Sequence, residues 1–196
     1  MLTKAGLLGR GWTDAGIRLF LGDPDDMKVN PIFRSAAPMK LWTVDRVETA
    51  EKSADWVSWL KASRVRRVAA VAVADRKRGE VAAMIEAVVI KIRPVPLGRA
   101  RDRAINAYNA YNEERYSYDG WGAATTGSDP MFLERITVNY IRHECTRYDT
   151  VGNALFGVTG RVEAHQLLRV RVLAAIAARY PTLAAECGRQ SVPRGM

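Results

Sequence analysis

The N-terminal architecture follows from residues 3–24, TKAGLLGRGWTDAGIRLFLGDP. Thr3 is placed to cap a helix over residues 4–9, and Thr13 is placed to cap a second helix over residues 14–21, because threonine hydroxyls accept hydrogen bonds from the free amides of a first helical turn. Glycines separate the two helices and end the second one. The stretch therefore predicts a helix, a tight turn and a second helix.

The second helix has one apolar face and one polar face. Ile17, Phe20 and Leu21 follow the i, i+3, i+4 spacing of residues that face a core. Asp14 and Arg18 fall on the opposite side. We therefore expect Arg18 to point away from the core, where it can contact a base edge or a phosphate.

Two short extended segments are predicted after the second helix, over about residues 28–34 and 39–43. Prolines and turn residues surround them, which is typical of a hairpin. The charged side chains of this hairpin are all basic: Lys28, Arg34 and Lys40. Because cationic side chains release counterions from a duplex, these three residues are candidate phosphate contacts.

The order of short motifs in this region resembles a known DNA-binding fold. The motifs are Leu2-Thr3-Lys4, Gly11-Trp12-Thr13-Asp14, Leu21-Gly22-Asp23-Pro24-Asp25, Asn30-Pro31, Ala37-Pro38-Met39-Lys40-Leu41-Trp42 and Arg46-Val47-Glu48. They resemble the winged helix-turn-helix of excisionase and MerR-like proteins, and they are similar to the DNA-binding part of the xeroderma pigmentosum group A family. The resemblance implies that the second helix enters the major groove and that the hairpin acts as a wing. The zinc ribbon of the repair family needs four cysteines, whereas this chain has two, both far downstream.

The candidate nucleic-acid contacts of this module are Arg10, Thr13, Arg18, Lys28, Arg34 and Lys40. The alternative is a solvated surface on a module that is used for protein contacts. Acidic residues stand close to the second helix and are poor neighbours for phosphate: Asp14, Asp23, Asp25 and Asp26.

A long helix is predicted from Val44 towards Pro94, broken near Gly79, because the stretch has no proline, one glycine and many good helix formers. Its middle carries six further candidate nucleic-acid contacts: Arg64, Arg66, Arg67, Arg76, Lys77 and Arg78. A solvated helix face is the alternative for these residues. Trp56 and Trp59 precede them and are either stacking groups for bases or members of a core or of a subunit interface.

Three further helices are predicted over residues 100–114, 131–148 and 161–179. The stretch 138–149 resembles an uncharacterised bacterial helical family, and this resemblance implies no chemistry. The fold class predicted for the whole chain is mainly α. It comprises a small winged helix-turn-helix with a short hairpin over 1–60, a basic connecting helix over 61–94 and a C-terminal helical domain over 95–196.

The chain is strongly basic, with 30 Lys and Arg against 21 Asp and Glu, a net charge of +9 and a pI near 9.9. The excess is uneven along the chain. Residues 1–60 carry eight charges of each sign, residues 61–131 carry 13 basic and eight acidic ones, and residues 132–196 carry nine and five. A basic excess of this kind favours a polyanionic partner such as nucleic acid.

Catalytic and metal-binding motifs are missing from the sequence. No P-loop, dinucleotide-binding or serine-elbow motif occurs, and His143, Cys145, His165 and Cys187 lack the close spacing of a zinc site. We expect no cofactor, no metal and no enzymatic activity, with a nuclease built on scattered carboxylates as the open alternative. The alternating charges of residues 131–148 are typical of a solvated or salt-bridged helix face. Both cysteines are expected to be buried thiols.

No apolar run approaches the roughly 20 residues of a membrane span, and the N-terminus lacks the apolar core of an export signal. We therefore expect a cytoplasmic protein without a membrane partner. The expected function is non-catalytic reading of duplex DNA, by sequence or by structure, with a helical interaction domain. The alternative is a structural or assembly subunit of a nucleoprotein or phage complex. RNA as the partner and a homo-oligomer formed through residues 95–196 stay open.

Overall fold

The structure, a computed structural model, describes residues 1–29, 36–115 and 122–193. Arg34 of the predicted hairpin lies outside these ranges. The chain divides into two compact units, unit 1 (Met1–Ala72) and unit 2 (Val73–Met196). The connecting segment expected over 61–94 is thus shared between the two units.

Unit 1 begins with two capped helices. Thr3 caps helix α1 (Lys4–Gly9), and Thr13 caps helix α2 (Asp14–Gly16), which continues as a π-helical segment over Ile17–Leu21. Each threonine hydroxyl accepts a hydrogen bond from the amide three residues further along the chain, at 3.1 and 3.2 Å. The predicted caps and helices are confirmed, with the difference that the second helix widens after its first turn.

A three-stranded antiparallel sheet accompanies these helices. Its strands are β1 (Leu2–Thr3), β2 (Asp26–Lys28) and β3 (Met39–Trp42), in the order β1-β3-β2. Lys28 stands opposite Met39, and Met27 stands opposite Lys40. The predicted strand over 39–43 and its antiparallel pairing with a preceding strand are confirmed, but β2 overlaps the predicted segment 28–34 only at Lys28, and residues 30–35 lie outside the described ranges. Strand β1 was not expected from the sequence.

The core of unit 1 is aromatic. The ring of Trp56 stacks on Trp12, with 3.8 Å between ring centroids, and on Trp59, with 5.3 Å between centroids. Trp56 is buried and Trp59 is half-buried, so these rings are core groups and not free platforms for bases. A Cβ atom at Gly16 would lie 2.7 Å from the Trp59 ring, and this close approach requires a glycine.

The predicted long helix is two helices, α3 (Val44–Lys52) and α4 (Ala54–Ala87). They are separated at Ser53, whose backbone is extended and whose hydroxyl accepts a hydrogen bond from the amide of Trp56 at 3.2 Å. The break expected near Gly79 is wrong, because α4 passes through this residue without interruption.

Unit 2 is helical. Its elements are α5 (Leu97–Arg115), α6 (Pro130–Glu144), α7 (Tyr148–Asn153), α8 (Arg161–Arg179), a 3₁₀ turn (Pro181–Leu183) and α9 (Ala184–Ser191). The three predicted helices are present, and α6 ends earlier than expected. Ile141 and Leu168 are fully buried in the core between them. Cys145 and Cys187 are free and buried, as expected.

The protein is therefore mainly helical, with one small antiparallel sheet. Within the described ranges, no helix combines the length and the apolar character needed to span a bilayer. Two places in the fold bring candidate ligand contacts together. One lies in unit 1, where α2 meets β3, and the other lies in unit 2, between α6, α8 and α9.

Candidate nucleic-acid interface

A cavity of about 320 Å³ lies in unit 1 where three elements meet. Lys4 at the start of α1, Arg18 of the π-helical segment and Lys40 of β3 line it together with Asp14 and Trp42. We call it the unit 1 cavity. The predicted contacts Arg18 and Lys40, which are 22 positions apart in the sequence, are thus neighbours in the fold.

The unit 1 cavity has an excess of positive charge. The Lys4 ammonium lies 2.9 Å from the Asp14 carboxylate, and both side chains are more than half exposed, so this pair is weak. Arg18 and Lys40 are exposed and have no carboxylate partner in the part of the chain that the structure describes. Three cations therefore surround a single carboxylate, and this arrangement favours an anionic ligand.

Trp42 lines this cavity and has an unused hydrogen-bond donor in its buried part. The residue is 2% exposed, and its indole N–H finds no acceptor among the described residues. A buried donor without an acceptor costs about 1–3 kcal/mol. The nitrogen is sealed from solvent, so this donor lies in the core beside the cavity and a ligand in the cavity does not reach it.

Two candidate contacts in unit 1 have structural partners. The Arg10 guanidinium is held by Glu51 through two hydrogen bonds, of 3.0 and 2.5 Å, and the Trp12 indole donates to the same carboxylate at 2.9 Å. The hydrogen bond from Arg10 lowers the pKa of Glu51, and the hydrogen bond from Trp12 lowers it further by a smaller amount. The Thr13 hydroxyl is occupied as the cap of α2. These two side chains therefore stabilise the unit itself.

Lys28 lies on the other face of the sheet. It stands opposite Met39, the neighbour of Lys40 in β3, and adjacent strand residues point to opposite faces. Lys40 and Trp42, two positions apart, share the face that lines the cavity. Lys28 is exposed and has no ion pair within the described ranges, but it does not belong to the unit 1 cavity.

The six candidate residues of α4 are all exposed. Two of them have acidic neighbours on the same helix, since Arg76 lies 3.6 Å from Glu80 and Arg78 lies 2.6 Å from Asp75. The remaining four, Arg64, Arg66, Arg67 and Lys77, make no ion pair with any described residue. Each of these four side chains is solvated and carries a charge that no described carboxylate offsets.

Sequence reasoning missed Lys4 and the Trp42 indole as members of the site. One signal was present, because Lys40 and Trp42 alternate along a strand and so share a face. The role of Lys4 depends on the packing of α1 beside β3, which no local pattern indicates. No family model, curated protein or solved structure matches this chain.

Proposed function

We propose that unit 1 is a winged helix-turn-helix module that binds duplex DNA, and that the protein is a non-catalytic DNA reader. In this proposal α1 and α2 form the helix-turn-helix, and β2 and β3 form the wing. The observation that carries the proposal is the convergence of Arg18 and Lys40, neither of which has a carboxylate partner among the described residues, on one cavity. A backbone phosphate supplies the negative charge that this cavity lacks.

The phosphate contact would dock α2 against the duplex. A phosphate held between a helix and the adjacent strand fixes the register of both elements on the DNA, as backbone contacts generally do. Arg18 sits on the exposed side of the π-helical segment and therefore supports either a phosphate or a base-edge contact. The exposed arginines of α4 would supply affinity that does not depend on sequence.

The test is salt-dependent binding of the full chain to a duplex with unphosphorylated ends, followed by fluorescence anisotropy. For Arg18→Ala combined with Lys40→Ala, we expect weaker binding and a log–log salt slope that is flatter by about two units, because each phosphate contact contributes about 0.9. Lys52→Ala is the matched control, since Lys52 is an exposed lysine of α3 outside the cavity. An unchanged slope in the double variant contradicts the proposal.

One observation favours the second candidate function, an assembly subunit. Val65, Val68 and Val71 of α4 are 64%, 71% and 55% exposed, although valine is usually buried. A helix that presents such residues to solvent is suited to contact another protein chain. Analytical ultracentrifugation separates the two functions: concentration-dependent association without duplex binding supports the assembly subunit.

A further inference from the structure

A second and larger cavity, of about 680 Å³, lies within unit 2. Its wall is rich in arginine: Arg135 and Arg142 from α6, Arg169 from α8 and Arg189 from α9. We call it the unit 2 cavity. Its volume is in the range of small-molecule sites and exceeds what a single inorganic anion fills.

The α6 wall of this cavity follows from sequence spacing. Arg135, Asn139 and Arg142 occur at i, i+4 and i+7 and therefore share one face of the helix. Arg142 donates to Asn139 at 3.2 Å and to Gln190 at 3.1 Å, and its guanidinium lies over the Tyr148 ring at 5.2 Å. These contacts hold the guanidinium plane in a defined orientation at the cavity.

The acidic residue of the wall is already used. The Glu186 carboxylate, 4% exposed, accepts hydrogen bonds from Arg189 and from Gln190, both at 2.8 Å. Arg189 also lies 3.3 Å from Glu134. Arg189 and Glu186 therefore compensate each other, and neither dominates the charge of the cavity.

Arg135 and Arg169 are different, because neither has a carboxylate partner among the described residues. Arg135 is exposed and lies over the Phe132 ring at 5.2 Å. Arg169 is half-buried, and its Nε–H is completely buried without an acceptor in the described part of the chain. Because this nitrogen is closed off from the cavity, Arg169 contacts a bound oxyanion through its terminal Nη groups, whose charge no carboxylate offsets.

His143 completes the polar wall. Its Nδ1 lies 2.8 and 2.9 Å from the two carboxylate oxygens of Asp149, and its Nε2 accepts a hydrogen bond from Arg142 at 3.2 Å. This arrangement places the Nδ1 proton towards Asp149 and orients the imidazole at the edge of the cavity. The ring therefore extends the polar surface next to Arg142.

We propose that the unit 2 cavity binds a phosphate monoester of nucleotide size, with Arg135 and Arg169 as the principal ligands of the phosphate. Planar guanidinium groups suit phosphate because they donate paired hydrogen bonds. The rings of Phe132 and Tyr148, which line the same wall, provide apolar surface for the remainder of the ligand. The monoester belongs either to a free nucleotide or to the 5′ end of a strand, and this site is independent of the duplex contacts proposed for unit 1.

Isothermal titration calorimetry on the full chain tests the proposal. The probes are 5′-AMP, a single-stranded octanucleotide with a 5′ phosphate, the same octanucleotide without it, and adenosine. We expect binding of at least one phosphorylated probe and weaker or absent binding of its unphosphorylated counterpart. Binding of 5′-AMP identifies a free nucleotide as sufficient, whereas binding of the phosphorylated octanucleotide alone identifies a strand end.

Arg135→Gln and Arg169→Gln should each weaken binding of the phosphorylated probe by at least about tenfold, since each removes a charge-assisted contact. Arg179→Gln is the matched control, because Arg179 is an exposed residue of α8 outside the cavity. Arg135 is exposed, so its variant is expected to fold even if the Arg169 variant does not. Absence of binding by both phosphorylated probes, equal binding of phosphorylated and unphosphorylated probes, or wild-type affinity in Arg135→Gln overturns the proposal.

Discussion

Gly16→Ala tests the packing on which the unit 1 module depends. Gly16 has helical dihedrals, with φ of −64°, so the backbone itself accepts alanine. Replacing a helical glycine usually stabilises a protein by about 0.4–1 kcal/mol, because the unfolded chain loses freedom. At this position a second effect opposes the gain.

The added methyl group would lie 2.7 Å from one Trp59 ring carbon, 3.0 Å from a second and 3.2 Å from the Trp56 ring. The Trp59 ring cannot easily move, because it stacks on Trp56 and meets Phe20 edge-on, with 5.6 Å between centroids. Overpacking of this kind costs about 1–3 kcal/mol. The clash therefore matches or outweighs the entropic gain, and we expect a net loss of about 0–2.6 kcal/mol.

The measurement is chemical denaturation followed by tryptophan fluorescence, which reports on the stacked rings directly. Gly9→Ala is the matched control in the same unit, because Gly9 is the last residue of α1 and a Cβ there meets no atom within 4 Å. The control should be neutral or slightly stabilising. If Gly16→Ala is as stable as Gly9→Ala, α2 does not pack on the Trp59 ring and the described module is wrong.

Three further outcomes are expected. Replacing the six basic residues of α4, Arg64, Arg66, Arg67, Arg76, Lys77 and Arg78, with Gln should lower affinity for specific and random duplexes by similar factors and leave the ratio between them nearly unchanged; electrophoretic mobility shifts with both duplexes check this. The pKa of Glu51 is lowered in the folded state, so the ionised carboxylate stabilises the fold above its ordinary pKa. This stabilisation is lost as the pH falls through the lowered pKa. The unfolding free energy of Glu51→Gln should therefore depend less on pH in acid than that of the wild type, as acid denaturation would show. Burial raises the pKa of Cys187 to about 11, so its alkylation at pH 8 should be slow in the native protein and fast in urea.

Local patterns predicted much of the fold correctly. The caps at Thr3 and Thr13 and the helix over 161–179 depend on residues within one or two turns of one another, and each was found where the sequence indicates it. Such features need no knowledge of distant partners. The coarse class, mainly helical with one small hairpin sheet, follows from the same signals.

The division of the long helix shows where local reasoning fails. A glycine inside a helix costs only about 1 kcal/mol, and in α4 this cost is accepted at Gly79. The chain breaks instead at Ser53, where the hydroxyl caps the next helix and Trp56 is placed against Trp12. Burying an aromatic ring stabilises the fold by more free energy than one glycine costs in a helix. Where that ring is buried depends on tertiary packing, which local sequence patterns do not show.

Distant partners also decide which charged residues are paired and which are not. Arg10 and Arg18 look equivalent in the sequence. In the structure the Arg10 guanidinium is bound by Glu51, which is 41 residues away along the chain, whereas Arg18 has no carboxylate partner among the described residues. Arg135 belongs to a helix with alternating charges, which predicts a solvated face, yet Arg169 of α8 lies on the wall of the same cavity. A net charge of +9 therefore does not say where on the fold the unpaired cations lie. The location depends on which arginines remain unpaired after the carboxylates of distant elements have found their partners.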